Sequence, residues 1–355
     1  MKTLFRQLNP HSCMTYLIAD KDSREAAIID PVLDHVPDYL KILGQENLKL
    51  RFIVDTHTHA DHISGGAALL DQTQCDYLMH REAAAACPTR RLTDGMRLEL
   101  AGVPVTVLET PGHTRDSISL VLPDKVLTGD ALFLDDGGAG RDDLPGGDAG
   151  EHWESLQKLT ALPEHLIVYP AHEYRRRQPS SLEQQKKTNP FLRPKSKADY
   201  IAFLQDLKLG PADWMKDVLK ANYACARDPK AAWIPVDVPA CEVKGTLAAG
   251  ANDVPVPEIT AAEFRQKIAA GETLLVLDVR DPQELAGELG QIEGSRNLPV
   301  AALAHKLDTL NDFKNSEIIT VCRSGGRAHT AAQLLIQAGF QKVRKLAGGM
   351  TAWKQ

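Results

Sequence analysis

The chain has 355 residues, of which 43% are hydrophobic and 25% charged, enough for two domains that each bury a core. Its formal net charge of −6 speaks against nucleic acid or a membrane surface as a partner, because both select a basic balance. No signal-like, transit-like or long apolar segment is visible, so a cytoplasmic protein is expected.

Residues 1–32 read as short strands: Met14–Ile18 and Ala26–Asp30, joined by the polar turn Asp20–Ser23. Helical spacing follows over Val36–Leu43, then a strand over Leu48–Val54. Ser64-Gly65-Gly66 opens a helix carrying Leu69 and Leu70. Cys75–Met79 reads as a strand and Glu82–Cys87 as a short Ala-rich helix. Leu98–Leu100 with Val103–Leu108, and Ser117–Leu122 with Lys125–Thr128, read as two antiparallel hairpins. Trp153–Leu162 is an amphipathic helix, Leu166–Tyr169 a strand, and Ser181 to Ala226 a helical region.

Residues 229–257 are rich in Pro, Ala and Gly and read as a linker. From Glu258 strand and helix alternate: helix Ala261–Ala269, strand Thr273–Val279, strand Glu317–Val321, helix Ala328–Gln337 and strand Lys342–Leu346. That alternation predicts a small parallel α/β sheet. The six cysteines form no C-x-x-C pair and read as free thiols.

The run His57-Thr58-His59-Ala60-Asp61-His62 sits at the end of a predicted strand. Imidazoles and a carboxylate there are costly to bury unless something binds them, and a metal ion is the usual answer. His113, Asp130 and His172 each follow or end a further strand. In layered α/β folds such strand ends converge at one edge, where sites are built. His80, His152, His165, His305 and His329 read as ordinary core or surface residues.

Together with Pro111-Gly112-His113, Thr128-Gly129-Asp130 and Pro170-Ala171-His172, this run resembles the metallo-β-lactamase family over roughly residues 1–228. The resemblance implies an αββα sandwich with two adjacent metal sites, the first from His57, His59, His113 and Asp130, the second from Asp61, His62, Asp130 and His172. Two branches compete. Glyoxalase II-like thioester hydrolases use a dinuclear zinc site. ETHE-like persulfide dioxygenases hold one Fe(2+) per chain, which maps to His57, His113 and Asp130. His59, Asp61, His62 and His172 then either support those ligands from behind or form a second metal site. Gly140-Arg141-Asp142 and Tyr169-Pro170-Ala171-His172-Glu173-Tyr174 resemble the dioxygenase branch. Arg141 is a candidate clamp for substrate carboxylates, since guanidinium binds them bidentately. Tyr174 is a candidate hydroxyl near the site. Arg175-Arg176-Arg177 is the same kind of candidate, read mainly as surface charge.

Cys322-Arg323-Ser324-Gly325-Gly326-Arg327 follows one predicted strand and precedes a helix. Backbone N–H groups and arginines around a cysteine at a helix N-terminus stabilise a thiolate, and would stabilise an anionic persulfide in the same way. The loop resembles the active-site loop of rhodanese sulfurtransferases, as do Leu277–Glu284, Gly294–Pro299 and Leu346–Trp353. The match covers about residues 258–355. It implies Cys322 as the catalytic nucleophile, with Arg323, Ser324, Gly325, Gly326 and Arg327 binding the substrate.

The chain as a whole is expected to oxidise glutathione persulfide with O2 to sulfite and glutathione. It is also expected to move sulfane sulfur between thiosulfate and glutathione. A dinuclear zinc thioester hydrolase with an appended rhodanese is the alternative. A homodimer is expected only because dimers are the commonest oligomer.

Overall fold

Side chains alternate between faces along a strand, and here both faces are apolar. Tyr16, Ile18, Ala27, Ile29, Val54 and Leu78 share one buried cluster, while Leu17, Ala19, Ala26, Ile28 and Ile53 share another. A sheet built from these strands must be covered on both sides. The computed structural model describes residues 3–9, 12–175, 177–205, 213–232, 234, 256–280, 282–303, 306–323 and 325–354. They form two compact units, Met1–Ala248 and Ala249–Gln355.

The strands of the first unit are β1 (Thr3–Gln7), β2 (Ser12–Cys13), β3 (Tyr16–Asp20), β4 (Glu25–Ile29), β5 (Lys49–Val54), β6 (Asp76–His80), β7 (Arg90–Leu92), β8 (Arg97–Leu100), β9 (Val103–Glu109), β10 (Ile118–Val121), β11 (Lys125–Gly129), β12 (Ile167–Pro170) and β13 (His172–Glu173). Among the described residues its helices are α1 (Val36–Gln45), α2 (Gly66–Thr73), α3 (Ala149–Thr160), α4 (Leu182–Thr188), α5 (Lys197–Gln205) and α6 (Asp213–Tyr223).

One sheet has the order β1-β3-β4-β5-β6-β7 and the other β12-β11-β10-β9-β8. Val105, Val107, Ile118, Leu120 and Leu127 of the second sheet meet the first sheet's inner face. Helices α1 and α2 bring Val36, Tyr39, Leu43 and Leu69 to the first sheet's outer face. Leu156 and Leu159 of α3, with Leu182 and Tyr200, cover Val126 and Val168 of the second. The result is the expected αββα sandwich. The short pair β2–β13 sets Cys13 opposite His172.

The second unit has β14 (Glu258–Ile259), β15 (Leu274–Asp278), β16 (Arg296–Asn297), β17 (Glu317–Val321) and β18 (Lys342–Leu346) in the order β14-β18-β17-β15-β16, all parallel. Its helices are α7 (Ala261–Ala269), α8 (Pro282–Leu285), α9 (Val300–Leu303), α10 (Gly326–Gln337) and α11 (Gly349–Trp353). Thr260 starts α7 with a capping box to Glu263. Ile259, Phe264, Val276, Ile319, Val321 and Leu346 form its core.

Two expectations need correction. Glu82–Cys87 is not helical. A segment this short cannot offset helix nucleation on Ala propensity alone. The Arg91 guanidinium instead takes the carbonyls of Ala83 (2.9 Å) and Ala85. The region from Ser181 to Ala226 is helical as expected, in α4, α5 and α6, with an interruption at Asn189-Pro190, where proline removes a helical donor. The cysteines are not all free: Cys87 and Cys225 form a disulfide across 138 residues of sequence. Among the described residues Cys13, Cys75 and Cys322 are free. The expected linker 229–257 falls mostly outside the described residues, as do Arg176, His305 and Ser324. No helix among the described residues is long and apolar enough to cross a membrane.

Candidate metal centre and cysteine loop

The run after β5 is held from several sides. The Asp30 carboxylate, just past β4, accepts from the Thr56 amide (2.7 Å) and the Thr56 hydroxyl (2.9 Å). Asp55 Oδ2 accepts from Ser64 Oγ and from the Tyr77 hydroxyl, each at 2.6 Å. Thr58 Oγ1 donates to Asp116 at 2.6 Å. From α6, Asn222 Nδ2 donates to the carbonyls of His59 (2.8 Å) and His62 (2.9 Å), and its Oδ1 accepts from the Ser64 amide (2.9 Å).

Within this frame His57, His113 and Asp130 converge, each with a ligand atom within 4.8 Å of the others. Asp130 Oδ2 lies 3.7 Å from His57 Nε2 and 3.5 Å from His113 Nε2. All three atoms are buried and have no hydrogen-bond partner among the described residues. Three orphaned polar atoms facing one point fit a metal ion, because leaving them bare would be costly.

The opposite ring edges are fixed. Thr56 Oγ1 gives its proton to Asp30 and therefore accepts from His57 Nδ1–H at 3.0 Å. The Arg141 carbonyl accepts from His113 Nδ1–H. Both outer bonds leave the Nε2 lone pair for a metal, the usual arrangement behind a ligating histidine. Gly140 lets this happen: a Cβ there would lie 2.6 Å from Asp130 O and 2.9 Å from His113 Nδ1. Burial and the neighbouring His59 drive His57 well below the ordinary imidazole range, against the pull of Asp130. Burial would raise the Asp130 carboxyl, but His172, His57 and His113 outweigh it and hold Asp130 ionised.

The remaining histidines flank that point: the His59 ring lies 4.3 Å from that of His57, and both its nitrogens are likewise buried without a hydrogen-bond partner among the described residues. His59 Nε2 lies 3.3 Å from Asp30 Oδ1 and 4.0 Å from Asp55 Oδ1, and groups with those two carboxylates. His172 stands between Asp130 Oδ1 (2.7 Å from Nδ1) and Asp61 Oδ2 (2.8 Å from Nε2). Asp61, His62 and His172 form a second group of potential ligands together with Cys13, whose thiol donates to Asp61 Oδ2 at 3.1 Å. Burial opposes charge on His62, but Asp61 and Cys13 raise it well above the ordinary range. The sequence marks Cys13 only as one of six free thiols, because its strand partner His172 is distant along the chain. Asp30, Asp55 and Asn222 were also not anticipated. An aspartate ending the apolar run Ala26–Ile29 was the available signal for Asp30.

Arg141 is 2% exposed, and its guanidinium binds Asp143 through Nε (2.6 Å) and a terminal nitrogen (2.7 Å). Tyr174 stacks on His172 with ring centroids 5.6 Å apart. Arg177 Nε bonds Glu173 at 2.9 Å and its terminal nitrogen bonds Asp136 at 3.1 Å, so it is tied down rather than solvated. His80 and His152 are core residues bonded to Glu109 (2.7 Å) and to the Ala131 carbonyl (2.9 Å).

In the second unit Cys322 follows β17 and is 1% exposed. Its sulfur accepts from the amides of Gly325 (3.1 Å) and Ala328 (3.3 Å), at the start of α10. Amide donors there favour negative charge on sulfur. Arg327 pairs with Glu284, one of its bonds measuring 2.7 Å, and Arg323 is exposed. The loop is backed by α11: the Met350 amide bonds the Cys322 carbonyl at 2.8 Å and the Thr351 amide bonds the Arg323 carbonyl at 3.0 Å. Gly349 permits this approach, since a Cβ there would lie 2.3 Å from the Cys322 carbonyl oxygen.

A buried imidazole–carboxylate cluster at the edge of an αββα sandwich defines a metal-dependent enzyme of the metallo-β-lactamase superfamily, which matches residues 8–172; the rhodanese-like domain family matches residues 260–355. Human mitochondrial persulfide dioxygenase ETHE1 is 33% identical over 228 residues, covering 62% of this chain and 88% of that protein. The crystal structure of ETHE1 from Myxococcus xanthus is 38% identical with a TM-score of 0.59, covering 62% of this chain and 99% of that one. A metallo-beta-lactamase from Staphylococcus aureus, 21% identical, shares the fold with a TM-score of 0.61 over 98% of both chains. The chain belongs to the family of the ETHE1 persulfide dioxygenases and carries a C-terminal rhodanese domain.

Proposed function

We propose that the first unit is a non-haem iron persulfide dioxygenase and that the second is a thiosulfate sulfurtransferase. The domains would be residues 1–228 and 258–355, joined by 229–257. One Fe(2+) per chain would be held by His57 Nε2, His113 Nε2 and Asp130 Oδ2. The observation that carries this reading is the convergence of those three buried, partnerless atoms, with His59 turned toward Asp30 and Asp55. Two imidazoles and one carboxylate suit Fe(2+), which, when bound, supplies open positions and redox activation of O2. The overall reaction is glutathione persulfide + O2 + H2O giving glutathione, sulfite and two protons, with four electrons passing from the sulfane sulfur to O2.

The chain's own groups set up that chemistry. Thr56 and the Arg141 carbonyl hold the outer protons of His57 and His113. His172 occupies one oxygen of Asp130 and leaves the other for the metal. Arg141 would meet a substrate carboxylate only by exchanging part of its bond to Asp143, and Tyr174 would bind substrate beside His172. In the second unit the Cys322 thiolate would take the outer sulfur of thiosulfate, releasing sulfite. Glutathione would then take that sulfur from the Cys322 persulfide. The amides of Gly325 and Ala328 support the charge, and Arg323, Ser324, Gly326 and Arg327 would bind the anionic donor. The acidic balance speaks against nucleic-acid and membrane-surface partners, and we take a cytoplasmic location and a homodimeric assembly as part of the proposal.

Metal analysis combined with an oxygen electrode tests the reading. Near one iron per chain, with O2 uptake on adding glutathione persulfide, is expected. The group Cys13, Asp61, His62 and His172 favours a second reading, a dinuclear zinc thioester hydrolase. Two zincs per chain and hydrolysis of a glutathione thioester would establish that reading instead.

A further inference from the structure

The end of α6 is where the run 56–64 after β5, the metal turn, is held, and the disulfide lies beside it. Asn222, 8% exposed, binds His59, His62 and Ser64 of the turn. Three residues on, the Cys225 amide bonds the Asn222 carbonyl at 3.0 Å, and the Ala226 amide bonds the Ala221 carbonyl at 3.0 Å. Cys225 has φ +54°, the left-handed conformation that ends many helices and that glycine or asparagine normally supplies. A cysteine at that position keeps a side chain at a backbone cost. That side chain is bonded to Cys87, which lies in the segment between β6 and β7, and the Cys87 amide also donates to Cys225 Sγ at 3.2 Å. Both residues are half-buried, and they line a cavity with Asp55, Thr58, His59 and Asn222.

We propose that Cys87 and Cys225 are a site of reversible sulfur modification, reacting with small thiols and their persulfides, that sets how firmly the metal turn is held. The identity of the reagent rests on the proposed function. In the dithiol form the Cys225 thiolate attacks the sulfane sulfur of the small-molecule persulfide. A Cys225 persulfide forms and the small thiol leaves, taking the proton. The Cys87 thiolate then attacks Cys225 Sγ, the protein disulfide forms, and hydrogen sulfide leaves. Two protein thiols lose two electrons and the sulfane sulfur gains them. Two equivalents of glutathione reverse the bridge and give glutathione disulfide. Persulfide would thus close a brace on the site that consumes it, and a reduced thiol pool would open it.

The test uses the full-length metal-loaded protein. It is reduced with a phosphine, desalted without O2, and split. One half receives stoichiometric glutathione persulfide. Differential alkylation with peptide mapping follows Cys87 and Cys225, sulfide is assayed, and metal release to a chelator is timed. Both cysteines should alkylate before treatment and neither after it, with sulfide released. Metal should leave roughly tenfold more slowly from the bridged form, the scale of losing an outer-shell support. Cys225→Ser and Cys87→Ala should both release metal at the faster rate whatever the treatment. A pair that stays alkylatable, or equal release rates in the two forms, would overturn the proposal. Release is timed for whichever metal the protein carries, so failure of the iron reading shows separately in the metal analysis.

Discussion

Asp130 divides its carboxylate between two tasks: Oδ1 is bound by His172 Nδ1 at 2.7 Å, and Oδ2 is left facing His57 and His113. His172 thereby selects which oxygen a metal would meet. His172→Ala should weaken metal binding by about 10- to 100-fold, the usual effect of removing a ligand's outer partner. Chelator competition measures it, and an unchanged affinity would show that Asp130 needs no such support.

His57→Ala removes one of the three converging nitrogen and oxygen atoms. It should abolish metal retention and persulfide-dependent O2 uptake. Transfer of sulfur from thiosulfate to glutathione should survive, since Cys322 lies in the other unit. Loss of both activities in a folded variant would contradict the division of labour.

Cys322→Ser should give the converse result. Sulfur transfer should disappear while most O2 uptake persists. The hydroxyl can still accept from the Gly325 and Ala328 amides but cannot carry a sulfane sulfur. Unchanged transfer would remove Cys322 from the mechanism.

Gly349→Ala would force a methyl group against the Cys322 and Arg323 carbonyls, at φ +59°. The backbone of the loop would have to move. A cost of about 1–3 kcal/mol is expected from overpacking and left-handed strain. Thermal unfolding reads the stability, and sulfur transfer should fall more than O2 uptake.

His152 is buried, and burial pushes its pKa down to about 4 from 6.5. The folded protein therefore holds it neutral while the unfolded chain takes a proton between those values. Its contribution to stability is complete above about pH 6.5 and is lost as pH falls through about 4, amounting to about 3 kcal/mol by linkage. His152→Gln, which can keep a donor for the Ala131 carbonyl, should flatten that part of the pH–stability curve. Denaturant titrations across this range would show it.

The strand ends were legible because metal-ligating residues there contradict the apolar pattern before them: Val54 is followed at once by Asp55, Thr56 and His57. The Cys322 loop was legible because glycines and arginines crowd a cysteine between a strand and a helix. What the sequence hid was pairing across distance. Nothing near Cys87 announces Cys225, and nothing near Asn222 announces the carbonyls of His59 and His62. These partners meet only once two sheets and α6 are in place. The Ala-rich segment 82–87 misled for a related reason: Arg91 satisfies its carbonyls from outside, which local propensity does not register.

The supports of the metal turn are spread from Asp30 to Asn222 along the chain. During synthesis the N-terminal part emerges first, so the converging atoms of His57, His113 and Asp130 would be exposed before His172 and Asn222 exist to order them. A nascent chain at that stage could pick up metal loosely and in the wrong coordination. Only after α6 docks is the geometry selective. Selective binding of the ion therefore has to wait until residue 222 has emerged, and a chain truncated before residue 222 should bind metal with poor discrimination.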